Sequence, residues 1–131
     1  MDTQYSVLLS LYYKEKPGHL RVSLDSIFNQ TLVSDDVVLV EDGSLGDALE
    51  SVVKEYEERY PQLHVVRFEK NRGLGFALND GLTYCKHELV ARMDTDDIAK
   101  PHRMEKQFAF MQAHPEIGMI GSWIDEFITD I

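Results

Sequence analysis

Basic residues are scarce in this chain of 131 amino acids: thirteen Lys and Arg stand against twenty-three Asp and Glu, a formal charge of -10. That is the wrong sign for a protein that neutralises nucleic-acid phosphates across a broad face, which excludes DNA and RNA as polymer partners. A small phosphorylated ligand stays admissible where a divalent cation or a few local bases reverse the sign. Cysteine is nearly absent. Cys85 alone excludes an intrachain disulfide and any multi-cysteine metal site. Its place in the apolar pattern around Leu82 reads as a small buried thiol, suited to a reducing compartment. Long hydrophobic runs are also missing. Stretches such as Val37 to Val40 are strand-sized, far short of the roughly 20 residues of a membrane-spanning helix. Met1-Asp2-Thr3-Gln4 lacks the basic segment that opens a signal peptide. The expected location is the cytoplasm.

The chain does have a regular alternation. Tyr5 to Leu11 is an apolar run of strand length, and after Pro17-Gly18 the residues Leu20, Leu24, Ile27 and Phe28 recur at helical spacing. Asp36 to Glu41 reads as a second strand, followed by the turn Asp42-Gly43-Ser44. Ser44 is expected to cap a helix carrying Leu49, Val52, Val53 and Tyr56, with Asp47 three residues on. Leu63 to Phe68 is the third strand. Turn residues Asn71 to Gly75 then lead to a helix through Ala77, Leu78, Leu82 and Cys85. Glu88 to Met93 is the fourth strand. A helix beyond Pro101 turns Met104, Phe108 and Met111 inward, and Ile117 to Gly121 gives a weaker strand signal. Strands alternating with helices predict an α/β fold, a doubly wound and mainly parallel sheet with helices on both faces. Ligands of such sheets sit beyond the carboxyl ends of the strands, where strand order reverses.

Those ends deliver Tyr12 to Glu15, Asp42, Asp94 and Asp96 to one edge. An Asp-x-Asp pair offers hard oxygen ligands to Mn2+ or Mg2+ and leaves positions open for phosphate oxygens. The same four residues, Asp94 to Asp97, would equally suit a helix cap or a solvated acidic loop, and spacing alone does not choose. A calcium EF-hand loop is excluded, because Ile98 and Ala99 occupy positions that need a ligand and a glycine. There is no P-loop, and no Gly-x-Gly-x-x-Gly turn follows the first strand. His19, His64, His87, His102 and His114 show no metal spacing and are expected at the surface, and Trp123 in the core.

Ser6 to Tyr12, Leu24 to Thr31, Val37 to Ser44, Asn71-Arg72-Gly73 with Ala77 and Asn79-Asp80-Gly81, and Met93 to Asp97 follow one another in fixed order. Together they resemble the family 2 glycosyltransferases, of the GT-A (Rossmann-like) type, over nearly the whole chain. The sequence departs from that family at Ser10, where proline is usual, at Tyr13, where asparagine is usual, and at Glu41, where aspartate is common.

The resemblance implies residue roles. Tyr12 and Glu15 would lie around the base of a nucleoside diphosphate, Asp42 would accept a hydrogen bond from that base, Asp94 would lie near the ribose, and Asp96, with Asp94, would hold the metal. Arg72 would lie where the nucleotide pocket closes, or would be a surface arginine of the turn. Asp97 is expected to cap the next helix. Residues 1–131 would form the donor-binding domain of a longer protein, with the general base and acceptor surface beyond Ile131. The implied reaction is transfer of a sugar from a nucleoside diphosphate sugar, uridine-linked, to a saccharide or lipid-linked acceptor, with inversion. The setting would be polysaccharide or cell-envelope glycan synthesis, with peripheral attachment to the inner membrane face through the further region. A module that binds nucleotide without transferring sugar is the alternative. A receiver-type signalling domain is another, although the third strand does not end in its phosphoacceptor aspartate.

Overall fold

The computed structural model describes residues 4–113. Eight elements alternate as expected: β1 (Ser6–Leu11), α1 (Pro17–Phe28), β2 (Asp36–Glu41), α2 (Asp47–Arg59), β3 (Leu63–Arg67), α3 (Leu74–Leu82), β4 (Val90–Asp94) and α4 (Arg103–Ala113). The strand expected at Ile117 to Gly121, together with His114 and Trp123, lies outside the described residues.

The four strands form one parallel sheet in the order β3-β2-β1-β4. A receiver-type sheet would place β1 between β2 and β3. Here β1 pairs with β2 and β4, Ser6 meeting both Asp36 and Val90, so that reading is set aside. The strand order instead reverses direction between β1 and β4.

Alternation along the strands explains the two layers of helices. Val7, Leu9 and Leu11 with Val37 and Leu39 face one side, where they pack against Leu20, Leu24 and Ile27 of α1 and Leu49, Val52, Val53 and Tyr56 of α2. Leu8, Val38 and Val40 face the other, against Ala77 and Leu78 of α3. All four residues just named from β1, Leu8 included, and all four apolar residues of β2 are inaccessible to solvent, as expected for strands covered on both faces.

Helix starts differ in part from expectation. α1 begins with Pro17 in its first turn, where a missing N–H costs nothing. α2 begins three residues after Ser44: Gly46 occupies the cap position at φ +88°, and Asp47 and Glu50 in the first turn with Arg59 in the last suit the helix dipole. Ser44 is therefore not the cap. Leu82, expected inward, is exposed, and Cys85 is half-buried, with burial pushing its thiol pKa up to about 11. His87 departs from the surface expectation: its side chain is 13% exposed and its Nε2 lies 2.7 Å from Asp35 Oδ1. Among the described residues no helix is long and apolar enough to cross a membrane.

Candidate functional site

The sheet has two polar ends with different tasks. At the amino end, Asp36 is buried and its carboxylate accepts hydrogen bonds from the Ser6 hydroxyl at 2.6 Å and the Lys86 backbone at 2.8 Å. This acid ties β2 to β1 and to the segment before β4. At the carboxyl end, the loops after β1, β2 and β4 bring together Tyr12 to Glu15, Asp42 and Asp94 to Asp97.

Beyond β4, the carboxylate oxygens of Asp94, Asp96 and Asp97 lie within 4.8 Å of one another. Asp94 and Asp96 are exposed, whereas Thr95 between them is 4% exposed, so the chain turns its acids outward and its hydroxyl inward. Asp97 corrects an expectation. It does not cap α4, which starts six residues later at Arg103; its Oδ2 instead accepts the Asp94 backbone N–H at 3.1 Å, and the Asp97 N–H returns to the Asp94 carbonyl at 3.0 Å. That reciprocal pair bends the loop back on itself and makes Asp97 the third carboxylate of the group. Three clustered carboxylates are a donor set for a hard divalent cation, so the residues present fit Mn2+ or Mg2+.

Asp42 directly follows β2 and is 3% exposed. Its two oxygens accept the backbone N–H groups of Arg72, at 2.7 Å, and Gly73, at 3.0 Å, which fixes the turn entering α3. Each oxygen retains a further lone pair. Arg72 is exposed, and its guanidinium stands 4.9 Å over the Phe76 ring. Gly43 is obligatory for this corner: it adopts φ +93°, and a Cβ there would approach the Asn71 backbone nitrogen to 2.8 Å.

Tyr12 and Tyr13 stand exposed beyond β1, ring centroids 6.0 Å apart and edge to face, with Lys14 Nζ 5.8 Å from the Tyr13 ring. The Glu15 N–H donates to the Tyr12 carbonyl and closes this loop. Its carboxylate turns toward the acid loop, where Oε2 accepts the Thr95 hydroxyl at 2.6 Å.

Sequence reasoning gave no role to the end of α1, which fastens the segment after the acids. Ser26 Oγ accepts the Ala99 N–H at 3.0 Å, and buried Gln30 donates to the Lys100 carbonyl at 2.8 Å and accepts the Met104 N–H at 3.0 Å. The Thr31 N–H donates to the Pro101 carbonyl at 2.8 Å. The available signal was the polar cluster Asn29-Gln30-Thr31 directly after the last apolar pair of α1, Ile27-Phe28.

The profile described as "Glycosyl transferase family 2" matches residues 6–130. The chain belongs to glycosyltransferase family 2. Amylovoran biosynthesis glycosyltransferase AmsE of Erwinia amylovora is 50% identical over 123 residues, which cover 94% of this chain and 46% of that relative. The chain thus spans less than half the length of this family member. Among solved structures, S. aureus TarS 1-349 in complex with UDP superposes with a TM-score of 0.74 at 26% identity, over 86% of this chain and 33% of TarS. Mannosyltransferase PcManGT from Pyrobaculum calidifontis, in complex with GDP-Man and Mn2+, gives 0.64 at 27% identity, over 72% of this chain and 28% of its own. The fold is that of the family's GT-A glycosyltransferases, with α1 and α2 on one face of the sheet and α3 on the other.

Proposed function

We propose that the chain is the donor-binding part of an inverting, metal-dependent glycosyltransferase. It takes a sugar from a uridine-linked diphosphate donor to a saccharide or lipid-linked acceptor in polysaccharide or cell-envelope glycan assembly. The observation that carries this reading is the trio Asp94, Asp96 and Asp97, with oxygens inside 4.8 Å, at the carboxyl end of β4 beside the loop after β1. That is the point of strand-order reversal, where open α/β sheets bind ligands. The UDP-bound neighbour and the amylovoran relative support the donor and the pathway class.

In this reading Tyr12 borders the base, and Asp42 offers its remaining lone pairs to the base. Arg72 closes the pocket over the nucleotide, and Asp94 lies near the ribose. Asp96 and Asp94 hold Mn2+ or Mg2+, with Asp97 completing the set. Such an ion, when bound, offsets the charge that develops on the departing diphosphate. The protein's own task is to aim three carboxylates at one point while a pocket built from the β1 and β2 loops orients the nucleoside. The acceptor hydroxyl loses its proton to a general base supplied by the acceptor-binding half of the enzyme.

The test is a melting series with Mn2+, UDP, both, and neither. Because the protein carries -10, UDP alone and Mn2+ alone stabilise little. Together, at a hundredfold over the dissociation constant, they add about 2.7 kcal/mol, a rise of several degrees. Equal stabilisation by UDP in chelator and in Mn2+ would reduce the acid loop to a structural turn. A parallel GDP arm that matched UDP would overturn the uridine assignment.

A further inference from the structure

We infer that Glu15 is a positioning residue: through Thr95 it locks the loop after β1 to the acid loop after β4, so that the nucleoside and diphosphate ends of the donor site form one rigid unit. The inference rests on the donor-site reading above and assigns within it a residue whose work is done at a distance from the ligand.

Both Glu15 oxygens are committed to the protein. Oε2 accepts the Thr95 hydroxyl at 2.6 Å, and Oε1 accepts the Lys16 backbone N–H at 2.9 Å with His19 Nδ1 at 3.6 Å. The Glu15 side chain is only 11% exposed and Thr95 4%, so this contact is nearly dry. A short hydrogen bond to a carboxylate in such surroundings is stronger than one between neutral groups.

What the contact joins gives it consequence. On one side the Glu15 N–H holds the Tyr12 carbonyl at 3.1 Å, fixing the turn that presents Tyr12. On the other, Thr95 is the residue between Asp94 and Asp96, so fixing its side chain restrains the backbone that carries both carboxylates. The same segment is also held by α1: Ser23 Oγ donates to the Asp94 carbonyl at 3.4 Å, and Ser26, Gln30 and Thr31 hold it from Ala99 onward. What Glu15 adds is a short side-chain link from the acid loop to the loop after β1, between positions 80 residues apart.

The experiment is UDP calorimetry in saturating Mn2+ on the chain and its Glu15→Ala, Thr95→Val, double, and Glu15→Gln variants, each first verified as folded by circular dichroism. Glu15→Ala and Thr95→Val each weaken binding by about tenfold, and the double variant is no weaker than either single one, because both remove one interaction. Glu15→Gln, whose amide oxygen still accepts the Thr95 hydroxyl, recovers most of the loss. Thr95→Ser, which retains the hydroxyl, also stays close to the parent and guards against a loss of folding in Thr95→Val. If Glu15→Ala weakens binding while Thr95→Val does not, Glu15 touches the ligand directly and the inference fails. Losses that add in the double variant, or a Glu15→Gln as weak as Glu15→Ala, overturn it equally. A parent chain that binds no UDP in Mn2+ overturns the donor-site reading itself and this inference with it.

Discussion

The Asp42 carboxylate receives the backbone N–H of Arg72 at 2.7 Å, across 30 positions of sequence. One strand-end acid thereby sets the turn that launches α3 and carries the only arginine assigned to the pocket. A second bond, from Gly73 at 3.0 Å, makes the grip bidentate.

Removing that grip costs stability as well as ligand binding. Asp42→Ala leaves two backbone N–H groups without their carboxylate and lowers the unfolding free energy by about 3 kcal/mol, read from urea unfolding. Asp42→Asn, which keeps one accepting oxygen, loses less. A change below roughly 0.5 kcal/mol would show that the turn stands unaided.

Gly43→Ala tests the same corner from the backbone. At φ +93° with the Asn71 nitrogen 2.8 Å from the would-be Cβ, alanine meets both a left-handed conformation and a rigid neighbour. A loss of about 1–3 kcal/mol follows. Protection of the Arg72 and Gly73 amides in hydrogen exchange falls with it; unchanged protection would separate the two features.

Glu41 makes stability depend on pH. Burial, reinforced by hydrogen bonding and repulsion from Glu50 and by Glu57, pushes its carboxyl up from the ordinary 4.5 to about 8, with Arg67 opposing. Between those values the folded chain holds a proton that the unfolded chain has released. The contribution of Glu41 therefore falls as pH rises from 4.5 to about 8. Glu41→Gln, neutral throughout, flattens this slope and gains on the parent above pH 8. Parallel pH profiles for the two proteins would mean that Glu41 ionises freely.

Gln30→Ala probes the fastening of the acid segment to α1. Loss of the bonds to Lys100 and Met104, at 2.8 and 3.0 Å, costs about 1–3 kcal/mol. It also weakens the joint effect of Mn2+ and UDP on melting. Full retention of that effect would show that the acids hold their geometry without α1.

Asp96→Asn keeps the side chain's shape and removes its charge, so it abolishes the joint stabilisation by Mn2+ and UDP while leaving the unliganded midpoint within about 0.5 kcal/mol of the parent. Asp97→Asn has a smaller effect on ligand binding but loosens the unliganded loop, because Oδ2 accepts the Asp94 N–H. The two variants distinguish charge from loop geometry in the same melting assay.

The parts legible in the sequence were those whose signal is local. The first two strands were readable because Val7 to Leu9 and Val37 to Val40 are unbroken apolar runs, which only a doubly covered strand tolerates. β3 and β4 are more exposed and of mixed pattern, so their bounds shifted: β3 ends at Arg67 rather than Phe68, and β4 spans Val90 to Asp94 rather than Glu88 to Met93. Ser44 looked like a cap, but the positive φ of Gly46 that delays α2 has no signature in residue spacing. The delivery of Tyr12, Glu15, Asp42, Asp94 and Asp96 to one edge followed from strand alternation, whereas the place of Asp97 among the acids did not, because it rests on a loop that folds back on Asp94. The bonds of Asp42 to Arg72 and Gly73, and of Glu15 to Thr95, did not, because each spans tens of residues and nothing in the local pattern encodes it.

The sheet order has a kinetic meaning. Ser6 pairs with Asp36 on one side and with Val90 on the other, so β1 and β2 close a short loop while β4 must return from far along the chain. Longer closure costs more entropy, which favours assembly of β1, β2 and the helix between them before β4 docks. The acids at the end of β4 would then reach their geometry after the rate-limiting barrier. Mn2+ with UDP would slow unfolding and leave the refolding rate of the chain unchanged. Stopped-flow refolding accelerated by the two ligands would place β4 in the nucleus instead.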